Sequence, residues 1–337
     1  MEFEKTYDKN YKKLLIIPTV MLILSLAYIG YFYYENDSII YKDVSLTGGT
    51  SYTIETDFDA KDLDSALSKE FSDFTVKGVS DGSGKQIDVI VTVGEEDSDN
   101  FKKAVEEILG FELTGENSSE EFTDSSLSAD FFKQLIVAII LAFFWMAAVV
   151  FVIFSKGAKT KTWIIIGNFV FAIFLGHFFL RLNPIISGII FVVFAFLFIR
   201  TYIKNSVPAF AVMFSAFADI IMTLAVVDLI GMKLSTAGIV AFLMIIGYSV
   251  DTDILLTTRI LNKREPTNKV LVGALKTGIT MTVTSFIAII SALIVVYSFQ
   301  SVLNQIFIVL LIGLFFDLLN TWITNASILK WYAEVNL

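Results

Sequence analysis

The sequence predicts a polytopic α-helical membrane protein that carries one small α+β domain after its first span. Three observations carry that prediction. Several apolar runs reach the ~18 residues needed to cross a bilayer. The 337 residues are 55% hydrophobic, with 32 Phe and only 4 Pro. Charge is unevenly placed: residues 35–131 hold 24 Asp and Glu against 7 Lys and Arg, whereas the remainder holds 10 acids and 18 bases. An acidic soluble domain is thus joined to a mildly basic membrane part, and its charge would repel nucleic acid. Cys is absent and His177 is the single histidine, which excludes disulfides, a thiol nucleophile and a Cys- or His-built metal centre. No cofactor and no enzymatic activity are expected.

Residues 1–13 are polar, with Lys5, Lys9, Lys12 and Lys13, and such a basic flank stays in the cytoplasm. Residues 14–34 form the first transmembrane helix, ending in Tyr31-Phe-Tyr-Tyr34 at the interface. Residues 35–131 then lie outside. Val44–Glu55 reads as strand, turn and strand, and Ala60–Glu70 as a helix. Phe74–Val79 and Ile87–Val93 alternate as strands around a turn at Asp81-Gly-Ser-Gly84, and Ser98–Leu109 is a second helix. A weak strand near Glu112 or Glu121 would complete a βαββαβ, ferredoxin-like order. Gly48-Gly49 suits a kink or a close backbone approach.

Residues 132–329 form the helical domain, with runs at about 132–154, 162–180, 185–199, 207–230, 234–256, 270–297 and 303–329; residues 330–337 are a cytoplasmic tail. With the first helix this makes eight spans. Lys156, Lys159 and Lys161, then Arg200 and Lys204, then Arg259, Lys263, Arg264 and Lys269 all fall on one side, so both termini face the cytoplasm.

The charged residues at membrane depth matter most. Asp251 and Asp253 close an apolar run, and residues two apart on a helix are turned by ~200°, so the two cannot share a face. A carboxylate among lipid tails costs ~2.5–3.5 kcal/mol, so one of them should face a protein or water-lined interior. Asp219, Asp228 and Asp317 lie in neighbouring runs and Lys276 in another. Asp251, Asp253 and Lys276 should share a depth, because their spans run antiparallel through a short loop. A shift between spans would alternate the carboxylate's surroundings and make it take up and release a proton. Buried polar glue between helices is the blander reading for any one of them. Thr277, Thr280, Thr284 and Ser291 recur at helical spacing, which suits either a hydrated path or close packing.

The stretch Ile246-Gly-Tyr-Ser-Val-Asp-Thr-Asp-Ile-Leu-Leu-Thr-Thr-Arg259 resembles the signature of the SecF family in its archaeal form. Gly247, Tyr248, Ser249, Thr252 and Arg259 are its motif positions here. Leu46-Thr-Gly-Gly-Thr50, Ala218-Asp219 and Gly273-Ala-Leu-Lys-Thr-Gly-Ile-Thr-Met-Thr282 agree with it, Gly48 and Gly49 included. The resemblance implies six family spans of the resistance-nodulation-division type with an exported ferredoxin-like domain. It also implies work beside a SecD-like subunit and a SecYEG-type channel on unfolded secretory proteins, driven by the proton motive force. Membrane lipids are the other expected partner. The chain departs from the family in its extra two-helix insertion, 155–199, and in Ala218 where histidine is usual. The bacterial acid column falls on Thr252, flanked by Asp251 and Asp253, and the bacterial arginine falls on Lys276. Asp251, Asp253, Lys276, Asp219 and Asp317 are therefore the proton-path candidates.

Two other readings use the same residues. Paired intramembrane carboxylates serve an aspartyl protease, but its Gly-x-Gly-Asp motif does not occur here, and Tyr-Asp occurs only as Tyr7-Asp8 in the polar N-terminal segment, not at membrane depth. A small-molecule or lipid exporter of the same superfamily would need a larger exported pocket and a duplicated chain. The hairpin 155–199 contains no Asp or Glu and should pack at the periphery.

Overall fold

The computed structural model describes residues 2–72, 74–80, 85–94, 98–179, 181–262, 265–296 and 302–336. The expected turn Asp81-Gly-Ser-Gly84, with Lys263 and Arg264, lies outside them. Among the described residues eight helices are long and apolar enough to cross a membrane.

Helices α1 (Glu2–Leu14) and α2 (Ile16–Asn36) open the chain. The polar α1 lies against the last helix, α13 (Ala326–Asn336). Lys330 of α13 is 1% exposed. Its ammonium donates to Asp8 and to Asn268 Oδ1, the latter at 2.8 Å, and lies 4.7 Å from the Tyr11 ring centroid. A buried lysine needs such partners.

The expected strand, turn and strand over Val44–Glu55 is corrected by the structure. Val44–Thr47 is a single helical turn, α3, and only Gly49–Glu55 is strand, β1. The reason is local. Asp43 caps the turn by accepting from Ser45 N at 2.8 Å, and its own N–H is taken by Leu234 O at 2.9 Å. The backbone before β1 is thus bonded to the membrane part rather than to the sheet. Helix α4 (Ala60–Leu67), strands β2 (Phe74–Ser80) and β3 (Gln86–Val93), helix α5 (Ser98–Leu109) and strand β4 (Ser118–Thr123) follow. The sheet is antiparallel throughout, in order β2-β3-β1-β4, which is the ferredoxin-like arrangement. Its buried face packs Tyr52, Ile54, Val89 and Val91 against Leu63, Leu67, Phe101 and Val105 of the two helices.

Gly48 and Gly49 make the joint between sheet and membrane. Gly48 has φ +87°, and a Cβ there would sit 2.5 Å from Ser125 Cα; one at Gly49 would sit 2.0 Å from Val93 O. Only glycine permits both the left-handed backbone and that approach.

Helix α6 (Ser125–Phe154) returns the chain to the membrane, with Asp124 as its cap. That exposed carboxylate accepts from the backbone and hydroxyl of Ser126, which hold its pKa below the usual value. Helix α7 (Ala158–Ile173), a π-helical turn at Phe174–Phe178 and helix α8 (Pro184–Asn205) form the inserted hairpin. It docks on α6 through aromatic rings: Phe144 lies 4.4 Å from Phe171 and 5.4 Å from Phe198 between centroids. Its outward residues, Trp163, Phe169, Ile185 and Phe196 among them, are exposed. His177 is also exposed, and its Nε2 lies 3.4 Å from Arg181 of the same hairpin.

Helices α9 (Val207–Leu229), α10 (Thr236–Leu261) and α12 (Val302–Leu319) form the packed centre. Helix α12 continues as a π-helical segment, Asn320–Asn325, into α13. Helix α11 (Thr267–Val296) lies at the edge with much of its surface bare.

Candidate functional site

Polar residues on α9, α10 and the π-helical segment converge inside this centre. Asp219, Asp253 and Asp317 are 0%, 0% and 1% exposed. Ser249 Oγ on α10 donates to Asp219 Oδ2 at 2.6 Å, and Asn320 Nδ2 donates to Asp219 Oδ1 at 2.7 Å. Thr324 Oγ1 bonds Asn320 Oδ1 at 3.0 Å, which fixes the amide's orientation. Asn325 Nδ2 donates to Asp253 Oδ1 at 2.7 Å, and Thr321 Oγ1 donates to Asp317 Oδ1 at 3.1 Å. The three carboxylates lie within electrostatic reach of one another. Among the described residues no Lys or Arg forms an ion pair with any of them.

The π-helical segment makes this convergence possible. On an α-helix, residues five apart are turned by ~140°, so Asn320 and Asn325 would point apart. The wider i→i+5 turn stacks residues five apart on one side, and such turns recur at functional sites. Close packing holds the segment there. A Cβ at Gly278 of α11 would meet the Trp322 ring at 2.2 Å, and one at Gly313 would meet Ile245 at 2.4 Å.

The structure separates the two acids of the motif. Asp253 is buried while Asp251, ~200° around α10, is exposed on the outside of the bundle. Lys276 is exposed on α11 and makes no ion pair with either among the described residues. The expected grouping of Asp251, Asp253 and Lys276 is therefore not seen within this chain, because both Asp251 and Lys276 point outward. Gly247 and Tyr248 lie on the same bare side of α10, whereas Ser249 and Thr252 are buried. Arg259 donates to Gly273 O at 3.0 Å and Thr277 Oγ1 at 3.1 Å, tying α10 to α11. Asp228 is buried at the far end of α9 beside Tyr41, apart from the cluster.

Asn320, Thr321 and Asn325 were not among the candidates from sequence. Their signal was the polar run Asn320-Thr-Trp-Ile-Thr-Asn325 inside an apolar span, which is as costly in lipid as an isolated charge unless it is satisfied within the protein.

Comparison with known proteins bears on this architecture. The family described as Protein export membrane protein SecD/SecF, C-terminal, matches residues 175–335. The protein-export membrane protein SecF of Methanocaldococcus jannaschii is 33% identical over 331 residues, 96% of each chain. That of Haloquadratum walsbyi is 32% identical over 333 residues, covering 98% of this chain and 95% of its own. The crystal structure of SecDF, a translocon-associated membrane protein from Thermus, superposes with a TM-score of 0.54 at 14% identity, covering 98% of this chain. This chain spans only 38% of that longer protein, and the likeness at that identity is one of fold. With a third of its residues shared along nearly its whole length, the chain belongs to the SecF family of protein-export membrane proteins.

Proposed function

We propose that this chain works with a SecD-like subunit beside a SecYEG-type channel, drawing on the proton motive force to help move unfolded secretory proteins across the cytoplasmic membrane. The observation that carries this reading is the buried cluster of Asp219, Asp253 and Asp317, held by hydroxyls and amides with no basic partner described. Carboxylates in that setting need a counter-charge, and a proton moving along them across 100 mV delivers ~2.3 kcal/mol. That biases a two-state equilibrium more than tenfold. The joint at Gly48-Gly49 and the bond from Lys233 Nζ to Ser72 O, 3.0 Å, then connect helix movement to the small domain.

The partner is argued from what is left bare. Asp251, Tyr248, Lys276, Thr280 and Thr284 are exposed at membrane depth. A second, similar half placed over α10 and α11 would remove the cost of presenting them to lipid. Asp251 and Lys276 then act at that contact, and Asp253 is the carboxylate facing the path. The basic loops support an orientation with both termini in the cytoplasm and residues 35–131 outside. Membrane lipids cover the remaining apolar surface. A protease reading fits less well, since its pair, Asp219 and Asp251, is split: Asp219 is buried against Ser249 and Asn320 while Asp251 faces outward.

The deciding experiment is export from vesicles carrying the chain, its partner and the channel. Asp253→Asn and Asp219→Asn should insert normally and lose potential-dependent stimulation. Unchanged stimulation in both would remove the carboxylate path. Orientation is checked by single cysteines: one at Asn183 should react with an impermeant reagent from outside, and one at Thr267 should not.

A further inference from the structure

Asparagine followed two residues later by serine or threonine is the acceptor pattern for an N-linked sugar, used where it lies on an exposed turn outside the cytoplasm. The chain carries the pattern three times: Asn36-Asp-Ser38, Asn117-Ser-Ser119 and Asn325-Ala-Ser327. The fold treats the three differently. Asn325 and Ser327 are 0% exposed inside the helical bundle, with Asn325 bonded to Asp253. No transferase reaches them. Asn36 is the last residue of α2, at the membrane border, and its Nδ2 donates to Phe32 O, one turn back, at 3.0 Å. The hydroxyl of Ser38 is turned away to Ile40 O at 2.9 Å. A helical acceptor at lipid level, with its hydroxyl engaged, is a poor one.

Asn117 is placed in the opposite way. It ends the turn between α5 and β4, where Glu112, Thr114, Gly115 and Glu116 are exposed and a Cβ at Gly115 would meet nothing within 4 Å. Along β4, at ~3.4 Å per residue, it lies ~24 Å from Asp124, the cap at which the chain enters α6. Its backbone is pinned, since Asn117 O accepts from Glu55 N at 3.0 Å, and its Oδ1 accepts from Thr114 N at 2.8 Å. Nδ2 carries two protons, one of which goes to Glu112 O at 2.9 Å. An asparagine joined to a sugar keeps one N–H, so that bond and the turn survive the modification. Ser119 is exposed on β4, which among the described residues pairs with β1 alone, so space is open on its outer edge. We propose that Asn117 is an N-glycosylation site. The sugar donor is an oligosaccharide carried on a polyprenyl phosphate. The Nδ2–C1 bond forms as the bond from C1 to the phosphate oxygen breaks. The polyprenyl phosphate leaves with the bonding pair, and one Nδ2 proton passes to a base of the transferase. This inference rests on the outside placement of residues 35–131 proposed above.

The test uses the full chain purified from the membranes of the cells that naturally produce it. Trypsin releases the peptide Ala104–Lys133, in which Asn117 is the only asparagine. Mass spectrometry with fragmentation should place a string of sugar residues on Asn117. Asn117→Gln and Ser119→Ala should each lose the added mass entirely, whereas Ser119→Thr, which restores the hydroxyl, and Asn36→Gln should keep it. Ser119→Ala leaves Asn117 and its turn bonds in place, so loss of the sugar there is not a folding failure. A bare peptide from the wild type, or added mass that persists in Ser119→Ala, overturns the site. The single-cysteine labelling separates this inference from the orientation it rests on. If the cysteine at Asn183 reacts from outside while the peptide is bare, the orientation stands and the glycosylation site fails. If that cysteine reacts only in opened vesicles and the peptide is bare, the orientation has failed and the site with it.

Discussion

Two pairs of membrane helices in this chain are built on opposite plans. Helices α9 and α10 bury Asp219, Asp253, Ser215, Ser249, Thr223 and Thr257, while the inserted α7–α8 hairpin buries mainly rings, with Phe144, Phe171 and Phe198 in mutual contact. Inside lipid there is no hydrophobic gain from packing one apolar helix on another, so shape and dispersion hold such a hairpin in place. The first pair has given up that simplicity. Each of its buried polar groups must find a partner, and a helix with four of them is tolerated only because neighbouring helices supply amides and hydroxyls at the right depth. The difference teaches where to look for function: the aromatic pair needs only to fit, whereas the polar pair must be held in register.

That contrast can be broken most severely at the register itself. Gly278→Leu would drive a side chain into the Trp322 ring and push the π-helical segment off its asparagine contacts. A loss of ~1–3 kcal/mol is expected, read as a lower thermal midpoint, together with loss of export stimulation. Full activity in this variant would mean that Asn320 and Asn325 need not be held. A middle effect is expected at the bare face. Asp251→Asn with Lys276→Ala should leave the isolated chain's midpoint unchanged and weaken co-purification of a SecD-like subunit several-fold. Equal co-purification would place the partner elsewhere. The smallest effect belongs to the hairpin. Joining Phe154 to Arg200 removes residues 155–199 and should leave insertion, partner binding and export near wild-type levels, measured in the same vesicles. If the shortened chain is inserted and partner-bound yet inactive, the aromatic pair is part of the mechanism and His177 becomes its first test.

Much of this was legible in the order of residues. Length and hydropathy dictate eight spans because every backbone polar group in lipid must be paired within a helix. Period-two alternation in Ile87–Val93 and helical periodicity in Ser98–Leu109 dictate the sheet and its cover, since each element has one face to bury. Gly48-Gly49 announced a close approach because nothing larger than hydrogen fits there. The two-residue separation of Asp251 and Asp253 already required that they face opposite ways.

Tertiary structure decided the rest. Which acid turns inward depends on where α10 meets α9 and α12, and no local rule distinguishes Asp251 from Asp253. The helical turn at Val44–Thr47 replaced an expected strand because Asp43 is bonded to Leu234, almost two hundred residues away. Lys276 lost its expected carboxylate partners because α11 packs through Gly278 and turns the lysine outward. Above all, Asn320 and Asn325 reach their carboxylates only through a π-helical turn. A five-residue spacing has no meaning on a regular helix, and the contacts that stabilise the irregular one come from three other helices.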